Sequence, residues 1–80
     1  MLLTDFEFLD ETDNAFKRKV ALRIKNLRKQ NRVTQEKFFA ETRINIARLE
    51  SGIIDIRLET LRKICYYFDV SLTGFFQGIS

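Results

Sequence analysis

The sequence predicts an all-α fold, a compact five-helix bundle, and three observations carry the prediction. The 80 residues include no proline and only three glycines, so little in the chain interrupts a helix. Apolar residues recur at spacings of three and four in the longer segments, which places each set on one helix face. Asp13, Thr34 and Ser71 stand just ahead of such runs, where a side-chain oxygen can accept the orphan amides of a first turn.

Taken in order, residues 1–14 read as an acidic arm or short extra helix ahead of a domain at 15–80. The arm, MLLTDFEFLDETDN, mixes acids with Leu2, Leu3, Phe6, Phe8 and Leu9 in no clean period. Its apolar residues suit docking on the domain or on a second subunit; a frayed terminus is the plainer reading. Asp13 is the expected N-cap of a first long helix over 14–30, whose stripe is Phe16, Val20, Ile24 and Leu27. Asn31-Arg32 ends it, because Asn tolerates the left-handed backbone that closes many helices. Thr34 caps a second helix that ends near Glu41-Thr42, with Gln35 and Glu36 at its positive end and Phe38 facing inward. A third helix over about 44–51 turns Ile46 and Leu49 to the core and stops at Gly52. Ile53-Ile54-Asp55-Ile56 is a loop, since four residues with no second strand to pair with do not make a sheet. The last long helix, 57–68, carries the stripe Leu58, Leu61, Cys65 and Phe68, with Ile64 beside it. Asp69-Val70 is a turn, and Ser71 caps a final short helix that ends near Gly78.

Composition excludes several functions. With no His and one Cys, the chain has neither an internal disulfide nor a zinc site of usual composition. A lone cysteine fits a reducing compartment. The acidic N-terminus is unlike a signal peptide, and no stretch approaches the roughly 18–20 apolar residues of a membrane span. A cytoplasmic protein without membrane association is expected. Without His, a Gly-rich phosphate loop or clustered carboxylates, no enzyme, catalytic residue, cofactor, metal or small-molecule substrate is expected.

The net charge of +3 hides a segregation. All 14 Lys and Arg lie between Lys17 and Lys63, a window with a balance of +9, whereas residues 1–16 hold five acids and no base. Such a middle suits a polyanion. Ordinary solvated helix faces would look similar, and charge alone does not choose.

Four pieces in order now carry a resemblance: Ile24-x-x-Leu27-Arg28, Thr34-Gln35-Glu36, Arg48-Leu49-Glu50-Ser51-Gly52, and Leu58-Glu59-Thr60-Leu61 through Phe68-Asp69-Val70-Ser71-Leu72. Residues 20–76 resemble the lambda-repressor-like helix-turn-helix domain of phage repressors, Cro-type proteins and small bacterial regulators. The resemblance implies a dimer that places its third helix in the major groove of double-stranded DNA. It implies that Gln35 meets a phosphate at the start of the second helix, that Arg28 and Glu50 form a structural ion pair, and that Cys65 is a small buried core residue. The chain also departs from the family. About three residues are missing between Gln35 and Glu50, the turn lacks its Gly, Arg32 replaces a helix-ending Gly, and Phe39 replaces a small Ala. Phe39 is expected to fill the space opened by the shorter connection. Thr42 through Glu50 is similar to a compact variant of the superfamily with the pattern Thr-x-Ile-x-Ile-x-Arg-(Ile or Leu)-Glu.

On this basis Arg48 is the foremost expected base contact, since Arg bonds guanine bidentately. Asn45 comes second, as a reader of adenine or as a cap of its own helix. Arg43 reaches a base or a phosphate, and Thr34, Gln35, Lys37 and Arg57 are expected phosphate contacts. The apolar tail residues Phe76 and Ile79, with Ile53 or Ile54 and the N-terminal arm, suit a two-fold interface, or fold back on their own subunit. The expected function is a sequence-specific transcriptional regulator acting as a homodimer on a near-palindromic operator. The alternative is an antitoxin-like or adaptor module that keeps the fold with weak or no sequence-specific DNA binding.

Overall fold

The computed structural model describes the backbone of residues 2–79 and the side chains of residues 14–79. Within it the chain is all-helical, with α1 at Leu2–Gln30, α2 at Gln35–Thr42, α3 at Ile46–Leu49, α4 at Leu58–Tyr67 and α5 at Leu72–Gln77. The expected docking of the arm's apolar side chains lies outside the described residues.

The core forms where the faces of all five helices meet. Ile24, Phe38, Ile46, Ile64 and Phe75 are fully buried, one from each helix, with Val20, Leu27, Val33, Leu49, Leu61, Cys65 and Phe68 around them. Phe38 is the aromatic centre. Its ring stacks on Phe68 at 5.6 Å and meets the edge of Tyr67 at 4.7 Å. Each such side chain contributes about 1.5–3 kcal/mol by leaving water.

Four expectations change here. First, α1 runs without interruption from Leu2, so Asp13 lies inside a helix and does not cap one. No Gly or Pro occurs in residues 2–30, and an interior Asp costs well under about 1 kcal/mol, too little to break a helix supported on both sides. Second, α1 closes in a Schellman arrangement, with Val33 N–H donating to Arg28 C=O and Arg32 N–H to Lys29 C=O. The left-handed residue is therefore Arg32, at φ 56°, not Asn31, whose amide instead donates to Leu27 C=O. Third, α3 is four residues long, shorter than 44–51, because Asn45 and Glu50 serve as its caps. Fourth, Leu58 is 84% exposed and Phe16 48%. Leu58 is the first residue of α4, where its position projects beyond the packed stripe.

Two glycines hold the ends of the bundle against α1. Gly52, at φ 80°, is buried, and a Cβ there would press on Arg18 Cγ at 3.3 Å. Gly78 leaves room for the Arg23 guanidinium, which a Cβ would meet at 2.2 Å. Arg23 uses that room to cap α5: Nε donates to Phe75 C=O at 2.8 Å and Nη2 to Gly74 C=O at 3.1 Å. A cation at the negative end of a helix is favourable.

Candidate nucleic-acid interface

The site is built on α2, α3 and the turn between them. Thr34 starts α2 in extended conformation, and its Oγ1 accepts from Lys37 N–H at 3.0 Å. Thr42 ends it, with its hydroxyl donating to Phe38 C=O and accepting from Ile44 N–H. Arg43 follows at φ 63° and turns the chain toward α3. Asn45 Oδ1 accepts from Arg48 N–H at 3.3 Å, and Ser51 Oγ donates to Arg48 C=O at 2.6 Å. The single turn of α3 is thereby capped at both ends. That matters because so short a helix has no stability of its own.

One carboxylate sets the orientation of these pieces. Arg28 Nε donates to Glu50 Oε2 at 2.7 Å and Nη2 to Oε1 at 3.0 Å, while Nη1 donates to Val33 C=O at 2.9 Å. Gln35 Nε2 adds a third donor to the carboxylate, 3.0 Å from Oε1. Three separate segments, the end of α1, the start of α2 and the end of α3, are bound to one buried group. The Arg28 pKa is raised, chiefly by its hydrogen bond to Glu50 and against the effect of burial. Tyr67 of α4 ties down the other end of α2 by donating its hydroxyl to Glu41. That bond holds the proton on Tyr67 and raises its pKa.

The sequence-predicted residues fall into distinct settings. Gln35 and Asn45 line one shallow depression with Glu36, Phe39, Ile46 and Ala47. Arg48 is exposed on α3, and Lys37 in the first turn of α2. Arg43 lies over the Phe39 ring, its guanidinium carbon 5.8 Å from the centroid. Arg57 comes from a different element, as the N-cap of α4, and is exposed. Asn45, with Oδ1 engaged as a cap, retains its Nδ2 hydrogens for a partner.

Phe39 sits beside α3 in the depression with Asn45, Ile46 and Ala47, but at 43% exposed it only edges the space the short connection opens and does not fill it. The core position belongs to Phe38, and the next residue on a helix points elsewhere. Sequence reasoning also missed the Gln35–Glu50 bond and the Arg23 clamp, which join residues 15 and about 50 positions apart. No local pattern signals either. Among the described residues no cluster of His, Cys, Asp or Glu could hold a metal ion, and no helix is long and apolar enough to cross a membrane. Cys65 is buried, and burial raises its thiol pKa.

The family model described as helix-turn-helix matches residues 24–75. Comparisons with curated proteins and with solved structures find no match.

Proposed function

The chain belongs to the helix-turn-helix family of DNA-binding regulatory domains, and from that premise we propose that it is a sequence-specific transcriptional regulator. It acts in the cytoplasm as a homodimer on a near-palindromic operator. The observation that carries this reading is the Arg28–Glu50–Gln35 junction. It holds α3 at a set angle to α2 while leaving Arg48 exposed. A rigidly mounted short helix with an outward Arg suits insertion into the major groove, where Arg bonds guanine O6 and N7. Arg43, ordered over Phe39, and Asn45 through Nδ2 supply further base or phosphate contacts. Thr34, Gln35, Lys37 and Arg57 anchor the backbone phosphates. Phe76 and Ile79 contribute to the dimer interface.

Selection of bound DNA from a random pool tests this directly. The expected product is an enriched palindrome whose half-site spacing reports the dimer. Arg48→Ala should then weaken binding to it by about 1–3 kcal/mol and relax preference at one position per half-site. No enrichment, with only steeply salt-dependent binding, would remove the sequence-specific claim.

A second reading is favoured by the length of α3, which is one turn. So short a helix reaches few bases, as in an antitoxin-like or adaptor module that keeps the fold for protein contacts. On that reading Arg48→Ala leaves DNA binding unchanged.

A further inference from the structure

We propose that Phe39 is a specificity-determining residue, a side chain of α2 that reads the C5 methyl group of a thymine in the major groove. This rests on the regulator reading and deepens it, by naming one base that the site selects and the residue that selects it. Phe39 edges the shallow depression between α2 and α3. Phe38 beside it is fully buried, whereas the Phe39 ring stays partly in water. Isolated exposed apolar side chains are ordinary on protein surfaces. Place, mounting and surroundings set this one apart.

In the docking proposed above, the N-terminal residues of the reading helix meet the base edges. Those residues are Asn45, the N-cap of α3, with Ile46 and Ala47 of its single turn. All three share the depression with Phe39. Ile46 is buried, while Asn45 and Ala47 are exposed. A one-turn helix brings few side chains of its own to the bases. A large apolar side chain from α2 alongside it widens the reading surface.

The ring is also held in place. Arg43, one turn after Phe39, sets its guanidinium carbon 5.8 Å from the ring centroid, a cation–π contact. One turn before Phe39, Gln35 donates to Glu50 Oε1 at 3.0 Å and ties that end of the same face to α3. A side chain ordered in advance loses little freedom on binding. An Arg that bonds a base or a phosphate carries the ring beside it to the DNA.

The surroundings choose the occupant. The lining of the depression includes an acid, Glu36, and among the described residues no Lys or Arg. A phosphate there would meet like charge, whereas a base edge carries no net charge. An aromatic ring leaves the hydrogen-bonding groups of those edges unsatisfied, N7 and O6 of guanine, N7 and N6 of adenine, and N4 of cytosine. The C5 methyl of thymine is the one apolar group that the base pairs present in the major groove. Phe39 and Ala47 offer it apolar surface.

The test starts from the operator that the full wild-type chain selects out of a random pool. Each thymine is replaced in turn by deoxyuridine, which keeps the base pair and removes only the methyl. At one thymine per half-site, binding should weaken about fourfold, the worth of one buried methyl. Phe39→Ala should bind the thymine and uracil sites alike, while the preference set by Arg48 remains. Phe39 lies outside the core and Ala favours a helix, so the variant should fold, which circular dichroism checks; Phe39→Gln is the second variant. A wild-type chain indifferent to every replacement overturns the proposal without any variant. So does a methyl preference that survives in Phe39→Ala, whether overall binding falls or not, because another side chain then makes the contact. The function reading fails separately. An enriched operator that ignores the methyl loses the thymine contact alone, whereas no enriched DNA removes the operator and the contact together.

Discussion

Arg32, Arg43 and Asp69 hold left-handed backbone, at φ 56°, 63° and 55°. Each follows a helix, and for a residue with a Cβ the conformation costs about 1–2 kcal/mol. Arg32 is exposed and its side chain packs on nothing that the core needs, so Arg32→Gly is expected to stabilise the fold by up to about 1 kcal/mol. A urea melt checks it, and an unchanged or lower midpoint would contradict the strain. Arg43 has the same backbone, but its guanidinium lies over Phe39, so Gly there removes an interaction along with the strain. Cys65 offers a different measurement. It is buried with a raised pKa, so thiol reagents should label it slowly at mildly alkaline pH and fast once denaturant is added. Rapid labelling of the folded chain would show that the fourth helix opens easily.

For the short α3, stability comes from its neighbours. Its two caps and Glu50 are what hold one helical turn in place. Glu50→Ala leaves the Arg28 guanidinium buried without its carboxylate, which costs about 3–5 kcal/mol. For so small a domain that approaches the whole stability. Replacing both partners by apolar residues, Arg28→Met with Glu50→Leu, should recover much of the loss in thermal unfolding, because no charge is then stranded. DNA binding should not recover with it, since an apolar pair lacks the bidentate geometry that orients α3. Recovery of both would show that the pair has no orienting role. Gln35 separates these effects further: Gln35→Ala removes one donor to Glu50 at modest cost to stability.

At the scale of the molecule, the four shorter helices pack on α1 from Phe16 onward. Charge is segregated along the chain, with all 14 Lys and Arg between Lys17 and Lys63. If Lys37, Arg43 and Arg57 of two protomers each meet a phosphate, the logarithm of the binding constant should fall against the logarithm of salt concentration with a slope of about −5. Lys37→Ala should make the slope shallower by about two, one phosphate per protomer. A slope that does not respond removes Lys37 from the interface. A dimer also makes the melting temperature rise with protein concentration, and a calorimetric series will register that independently of any DNA.

The sequence by itself determined the helices and their order. The caps at Thr34 and Ser71, the stripe from Val20 to Leu27, and the breaks at Gly52 and Asp69 are local choices, and local chemistry reads from local sequence. It determined the family as well, because the four motifs that carry the resemblance lie in one order along residues 24–75. Exposure was decided by the tertiary structure. Phe38 reads as inward-facing from its place on the helix alone, but how far its neighbour Phe39 stays in water depends on what packs around α2, and the packing leaves it 43% exposed. The same holds for Leu58 against Leu61. The three-way junction at Glu50 and the Arg23 clamp on α5 join distant segments, and no periodicity encodes a contact between them. The stretch 34–52 thus owes its helices to its own residues, and the angle at which it presents Arg48 to a carboxylate that binds Arg28 from outside it.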